Sequence, residues 1–217
     1  WFFHNKSYYK AAAYYYRSGD YENMLKAFDL DKGEHLRAAD LYYMGTSYQK
    51  CPEEIRNRHP AALMIYARQL RMCGKNRELE KVIELLNSRE VLSSVPENER
   101  KEFEGECEIL RSYMNFSDPS MVEDYQKCGA EKKKHPSIQA GRMSPYTFGS
   151  PSIMFLYYTE AGKLDELLKK YTGTRELYYH LTDNNSRGSE YLFDAEIQFN
   201  RGNLEKADIL SHKAGTV

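Results

Sequence analysis

One short pattern constrains this chain more than any other feature, because it recurs four times in a sequence with little β-strand alternation. An aromatic stretch with helical periodicity is followed by a glycine, a short polar turn and an amphipathic segment led by acidic residues. The four glycines are Gly19, Gly74, Gly162 and Gly202. Glycine readily adopts the left-handed conformation that ends many helices, and acidic side chains favour the positive first turn of the next helix. Each copy therefore predicts a helical hairpin.

The spacing of the turns indicates how the hairpins are organised. Gly74 and Gly162 are 88 residues apart, and Pro119, which can begin a helix at its first position, lies near the midpoint after Asp118. A repeat of about 40 to 45 residues built from helical hairpins is typical of a solenoid, although it is longer than the 34 residues of a tetratricopeptide repeat. We expect an all-α fold, a superhelical stack of αα-hairpins similar to a tetratricopeptide solenoid. Residues 1–217 would form one such domain, a fragment of a larger protein.

Two irregular stretches interrupt the helical pattern, at about residues 134–150 and 181–189. Long loops inside a compact domain are commonly functional. Tyrosine is abundant, with 19 residues, and the tyrosine pairs are interpreted first as packing residues of the hairpin cores. In the alternative interpretation one ring of a pair faces a groove and stacks on a ligand, while Asn, Arg and Glu supply directed hydrogen bonds. These considerations predict a ligand-binding site on the concave face. Its residues would be Tyr146, Phe148, Ser150, Tyr157, Tyr179, Asn184, Asn185, Arg187 and Glu190.

Motifs of catalysis and cofactor binding are missing from the sequence. It contains no phosphate-binding P-loop, no dinucleotide-binding glycine motif, no zinc spacing and no nucleophile elbow. We therefore expect no enzymatic activity, no catalytic residue, no metal and no cofactor. Six scattered histidines, His59 among them, are interpreted as surface or helix-capping residues without a ligand-type partner. The short basic run at residues 132–134 is interpreted as a solvated helix end, with contact to phosphate groups as the alternative.

Charge and cysteine content narrow the surroundings in which the chain works. Lys and Arg total 31 against 32 Asp and Glu, so the basic excess of a dedicated nucleic-acid-binding domain is missing and we expect no direct contact with nucleic acid. The sequence has no apolar run long enough for a membrane span, so no membrane association is expected. The cysteines, interpreted as buried or half-buried thiols, are Cys51, Cys73, Cys107 and Cys128. Their scattered positions favour a reducing compartment, and we expect a cytoplasmic protein.

Several segments, taken in order, resemble the helical region of large ATP-dependent LuxR-family transcriptional regulators of the MalT-like type. The matching segments are YKAAAYYYRSGDY from Tyr9, HPAALMIYA from His59 with the following Gly74, GSPSIMFLYY from Gly149, GKLDE from Gly162, EYLFDAE from Glu190 and GNLEKA from Gly202. The resemblance spans nearly the whole chain, and the order of the segments is more specific than any one of them. It implies a tetratricopeptide-like sensor region lying between an ATPase module and a DNA-binding helix-turn-helix, both of which would belong to other parts of the parent chain.

The resemblance implies a ligand-sensing and assembly domain that binds a small-molecule inducer or a protein partner on its concave face. Binding would favour one arrangement of the multidomain regulator. A second hypothesis keeps the same fold but assigns it to a protein–protein interaction scaffold, which grips a peptide or a helix in an open groove.

Overall fold

A computed structural model describes residues 1–32, 45–115, 118–140 and 160–216. Within these ranges the chain is almost entirely α-helix and turn, and no β-strand is present. The predicted all-α fold is therefore confirmed. The same ranges contain no helix that combines the length and the apolar character needed to cross a membrane.

In the first half of the chain, the helices are short to medium in length. They are α1 (Tyr8–Ser18), α2 (Tyr21–Asp31), α3 (the described helical residues 45–50), α4 (Glu53–Arg56), α5 (Pro60–Met72) and α6 (Asn76–Leu86). In the second half they are α7 (Arg89–Ser94), α8 (Glu97–Met114), α9 (Pro119–Lys132), α10 (Lys163–Leu181), α11 (Ser189–Asn200) and α12 (Leu204–Ala214). A 3₁₀ turn covers Ile138–Ala140, between α9 and α10.

Helices that follow one another closely in sequence pack as pairs. The pairs are α1 with α2, α5 with α6, α8 with α9, and α11 with α12. Neighbouring pairs then touch through α2 on α5, through α5 and α6 on α8, and through α9 on α10. Contacts between the first three pairs thus run along the chain order, and α10, which belongs to none of the four pairs, contacts both α9 and α11.

The glycine turns have the backbone conformation that the sequence predicts. All four have positive φ: Gly19 at 74°, Gly74 at 66°, Gly162 at 83° and Gly202 at 80°. The turn without a glycine also follows the prediction, because Pro119 is the first residue of α9 and the Asp118 carboxylate accepts hydrogen bonds from the Ser120 and Met121 amides. That side chain caps the helix and satisfies donors that have no partner within it.

The described apolar core is concentrated in the first two hairpins. Met24, Leu25 and Phe28 of α2 pack with Leu63 of α5 in one buried cluster. Tyr48 stacks on Tyr66 inside this cluster, with ring centroids 4.4 Å apart. Aromatic stacking at this distance adds to the stabilisation from burial alone, so the tyrosines here act mainly as core residues.

The α8–α9 pair is held together by two glycines that face each other. A Cβ atom at Gly105 would lie 2.9 Å from the Gly129 carbonyl oxygen, and a Cβ at Gly129 would lie 2.6 Å from Cδ1 of Ile109. Both separations are shorter than real Cβ contacts, so the two helices approach each other at a distance that only glycine permits.

One cysteine departs from the predicted burial. Cys51 and Cys107 are buried and Cys128 is half-buried, but Cys73 is exposed. The prediction of buried or half-buried thiols is therefore wrong for Cys73. The physical reason is its position, because it follows the last residue of α5 and lies beside Gly74 at the turn, beyond the face that packs on the core.

Candidate functional site

Two arginines one turn apart occupy the polar side of the otherwise apolar helix α5. The apolar residues Leu63, Ala67 and Leu70 are buried in the core, and Arg68 and Arg71 extend from the same helix. Arg68 is only 8% exposed, and burial lowers the pKa of both guanidiniums, with the like charge of Arg71 lowering that of Arg68 further. Two cations held this close and this far from water are costly unless anionic or polar groups accept their hydrogen bonds.

Three elements supply the groups around Arg71. Its guanidinium carbon lies 4.1 Å from the ring centroid of Tyr113 on α8, within the range of a strong cation–π contact. Nη2 of Arg71 donates to the carbonyl oxygen of Gln139 in the 3₁₀ turn, at 3.0 Å. A side-chain hydrogen bond joins Tyr113 to Tyr178 of α10, and burial raises the pKa of Tyr113, which keeps the phenol neutral. We call Arg68, Arg71, Tyr113, Gln139 and Tyr178 the arginine cluster.

Hydrogen-bonding capacity remains at the arginine cluster. Nε of Arg71 is buried and has no acceptor among the described residues. Gln69, the neighbour of Arg68 in sequence, is 3% exposed, and its Oε1 has no donor in the same parts of the chain. Within these parts, no carboxylate lies within ion-pair distance of Arg71. The free Nε donor of Arg71 and the stacked ring of Tyr113 are groups that orient a polar ligand.

A buried ionic network fixes the segment that carries Gln139. Glu106 of α8 accepts hydrogen bonds from the Ser137 hydroxyl at 2.8 Å and from the Ile138 amide at 2.9 Å. Lys133 Nζ lies 2.6 Å from Glu106 and 3.2 Å from Glu102. We call Glu102, Glu106, Lys133 and Ser137 the lysine network. It joins the end of α9 to α8 and positions the 3₁₀ turn.

The interpretation of residues 132–134 as a solvated helix end is wrong for Lys133, whose side chain is 3% exposed. The physical reason is that α9 ends at Lys132, and the close approach at Gly105 and Gly129 brings the next residue against α8. There the carboxylates of Glu102 and Glu106 lie one turn apart and compensate its charge.

Charge in this part of the molecule is not balanced. Counted over the described residues, the arginine cluster and the lysine network contain three cations, Arg68, Arg71 and Lys133, and two carboxylates, Glu102 and Glu106. Both carboxylates are held by Lys133. The charge of Glu106 also acts on Arg68, whereas no carboxylate among the described residues pairs with Arg71. The surroundings of Arg71 therefore favour an anionic or strongly hydrogen-bonding ligand.

Part of the predicted site is assembled at the end of α10. The Arg187 guanidinium lies 5.0 Å from the ring centroid of Tyr179, and Nε of Arg187 donates to Oδ1 of Asn184 at 2.9 Å. Asn184 itself has a positive φ of 60° and closes the helix by donating its amide to the Tyr179 carbonyl. The structure thus brings Tyr179, Asn184 and Arg187 together.

The other predicted residues have different surroundings. Glu190 lies 3.9 Å from Arg175 of α10, and its Oε2 is buried with no donor among the described residues. Asn185 is exposed beside the Arg187 group. The remaining predicted residues, Tyr146, Phe148, Ser150 and Tyr157, lie outside the described residues. Ligand binding by this set stays a prediction.

The two tyrosines at positions 178 and 179 link the predicted site to the arginine cluster. Tyr178 hydrogen-bonds with Tyr113 of α8, while Tyr179 is buried under Arg187. Consecutive helical side chains point about 100° apart, so α10 faces both groups at once. The predicted site included Tyr179 but not Tyr178, Arg68 or Arg71, although two charged residues one turn apart in a largely apolar helix were a usable signal.

A second ionic group joins the first two hairpins. His59, just before α5, lies with Nδ1 2.5 Å from Oδ2 of Asp29 and Nε2 3.2 Å from Oε1 of Glu22. The other Asp29 oxygen accepts a hydrogen bond from the Ala62 amide at 2.7 Å. We call Glu22, Asp29 and His59 the histidine cluster. Burial lowers the pKa of His59, but the bonds to the two carboxylates outweigh it and leave the pKa raised.

The prediction that every histidine lacks a ligand-type partner is wrong for His59, which is 8% exposed. The two carboxylates are seven residues apart on α2, two helical turns, and so share the face that packs on α5. Each ring nitrogen faces a carboxylate, and Asp29 is also bound to the first turn of α5. The histidine cluster therefore holds two hairpins together, and its nitrogens are not available as metal ligands; indeed no group of three or more metal-ligating side chains occurs in the described residues.

Comparison of the chain with protein-family models, curated proteins and solved structures found no match.

Proposed function

We propose that this chain is a ligand-sensing and assembly domain of a LuxR-type transcriptional regulator, and that it recognises its ligand where α5, α8 and α10 meet. The observation that carries the proposal is the arginine cluster, in which the half-buried Arg71 stacks on Tyr113 at 4.1 Å and has a buried Nε without an acceptor among the described residues. Buried cations without a paired carboxylate are rare in structural cores and are common where anionic ligands bind.

The arrangement of hairpins supports the tetratricopeptide-like part of the proposal. Contacts between the first three pairs follow chain order, as in solenoids, where each repeat touches its neighbours. The arginine cluster takes residues from two successive hairpins and from α10, so a ligand bound there contacts several repeats. A ligand that binds one relative arrangement of the repeats more tightly shifts the population toward it. This is how a sensor region can act on attached ATPase and DNA-binding domains.

Titration calorimetry with a panel of small dicarboxylates, sugar phosphates and nucleotides tests the proposal. For a member of the panel that binds, Arg71→Met should weaken binding by about tenfold or more, because one charge-assisted hydrogen bond is lost. Arg77→Met is the matched control, since Arg77 is an exposed arginine on α6. Unchanged affinity in Arg71→Met, or an equal loss in Arg77→Met, would contradict the proposed site.

A specific observation also favours the alternative, a scaffold that binds a peptide or helix. Phe199, Leu204 and Ile209 of the last hairpin are 64%, 60% and 60% exposed. Large exposed apolar side chains on one hairpin favour a protein–protein contact surface. Fluorescence anisotropy with labelled amphipathic helical peptides separates the two functions: the scaffold requires that Ile209→Ser weaken peptide binding while Arg71→Met leaves it unchanged.

A further inference from the structure

A surface cleft of about 440 Å³ lies where α4 meets α7, away from the arginine cluster. It is lined by Pro52, Glu53, Glu54, Asn57 and Glu90. Every ionisable side chain in this lining is a carboxylate, and all three of these glutamates are exposed to solvent. The cleft, which we call the acidic cleft, therefore has an electrostatic character opposite to that of the arginine cluster.

Asn57 lines the acidic cleft and has a buried side-chain oxygen without a donor among the described residues. The side chain is 4% exposed, and its Nδ2 donates to Oε1 of Glu90 at 2.8 Å. This bond fixes the orientation of the amide, because the reversed amide would place its oxygen against a carboxylate oxygen. Oδ1 of Asn57 is then buried, and it has no hydrogen-bond donor in the described parts of the chain. A buried acceptor of this kind is unfavourable until a donor reaches it.

The lining also indicates what kind of cation fits. In the described residues, these carboxylates do not converge into a group of three that could hold one metal ion. A ligand that satisfies the amide oxygen and the separated carboxylates must instead carry several N–H donors and span the cleft. Guanidinium and alkylammonium groups have this chemistry.

We propose that the acidic cleft binds the cationic head of a small organic amine or guanidine, with an N–H donated to Oδ1 of Asn57 and the charge shared by Glu90 and the glutamates of α4. This site is independent of the ligand that the sensor proposal assigns to the arginine cluster. The two sites differ in charge and in lining residues, so either can be lost without the other.

Isothermal titration calorimetry of the whole chain with agmatine tests the site. Wild-type protein should bind agmatine. Glu90→Gln should weaken agmatine binding by about threefold, because the substitution removes one exposed negative charge. The glutamine side chain can still accept the hydrogen bond from Asn57 Nδ2, so the orientation of the asparagine is kept. Asn57→Ala should weaken it by about tenfold through loss of the acceptor, with thermal unfolding used to verify that this variant is folded. Glu205→Gln, the same charge change on exposed α12, should have no effect.

Competition separates directed binding from simple charge attraction. Tetramethylammonium has the same charge as an ammonium group but no N–H, so it should fail to displace agmatine, whereas butylamine should displace it. Displacement by tetramethylammonium as efficient as that by butylamine would overturn the proposal, as would equal agmatine affinities in the wild type, Glu90→Gln and Asn57→Ala. Retained agmatine binding in Arg71→Met is expected and keeps this result separate from the test of the sensor function.

Discussion

At the scale of single residues, the positions that sequence patterns could not predict are charged side chains whose partners come from distant parts of the chain. His59 stands 30 residues from Asp29 and Lys133 stands 31 from Glu102. Nothing local in the sequence distinguishes these residues from the exposed His135 or Lys134. Their burial follows from which helices pack together, and that is decided by the apolar faces of those helices.

The histidine cluster gives the interface of the first two hairpins a predictable pH dependence. Because the pKa of folded His59 is raised above its ordinary value of 6.5, its stabilisation is fully present below that value and is lost as pH rises through the folded pKa. Urea unfolding of the wild type and His59→Gln at several pH values measures this. The free energy of unfolding should differ most between the two proteins below pH 6.5, and the difference should shrink as pH rises. A difference that grows with pH would contradict this assignment.

The lysine network makes Lys133 the most costly of the three consecutive lysines to replace. Lys133→Met removes the buried cation and leaves Glu106, itself 6% exposed, without its main compensation, which should cost about 3 kcal/mol in unfolding free energy. Lys134→Met is the control, because that side chain is exposed and only its backbone amide bonds with Glu102. Its expected cost is within about 0.5 kcal/mol. Equal costs in chemical denaturation would show that Lys133 does not carry the network.

At the scale of helices and turns, local chemistry predicted most of what is observed. The four glycine turns and the Asp118–Pro119 start of α9 depend on a few adjacent residues, and each appears where the pattern indicated. The close approach of α8 and α9 at Gly105 and Gly129 was not predicted in this way. Both glycines lie inside helices, where a glycine in the sequence gives no sign of how closely the partner helix will pack against it.

The Gly105–Gly129 contact should make a normally favourable substitution unfavourable. Alanine stabilises an exposed helix by about 1 kcal/mol relative to glycine, but Gly129→Ala places Cβ 2.6 Å from Ile109 Cδ1 and 3.0 Å from the Gly105 carbonyl oxygen. We expect a loss of about 1 to 3 kcal/mol from overpacking, measured by urea denaturation. In an Ile109→Ala background the loss from Gly129→Ala should be smaller, because the nearest atoms are gone. An additive double variant would contradict direct contact.

At the scale of the whole molecule, the sequence predicted a stack of helical hairpins and placed its expected site at the irregular stretches 134–150 and 181–189. Of these, residues 134–140 and 181–189 are described and residues 141–150 are not. Tyr179, Asn184 and Arg187 do meet there. The arginine cluster was missed because it depends on three elements, α5, α8 and α10, that are brought together only by the order in which hairpins pack. A site of this kind is a property of the stack and cannot be read from any one segment.

The arginine cluster and the lysine network should respond differently when a buried cation is replaced by an apolar side chain of similar length. Lys133 is compensated by two carboxylates, and removing it leaves them unpaired. Arg71 has no carboxylate partner among the described residues, so Arg71→Met removes a desolvated charge together with its hydrogen bond to Gln139 and its contact with the Tyr113 ring. Because these effects oppose each other, the unfolding free energy should fall by no more than about 1 kcal/mol. A small effect on the unfolding free energy is expected for a residue that serves ligand binding rather than folding, since functional sites commonly reduce stability. Urea denaturation of both methionine variants decides the matter: a loss in Arg71→Met as large as that in Lys133→Met would make Arg71 a structural residue and would remove the observation on which the sensor proposal depends.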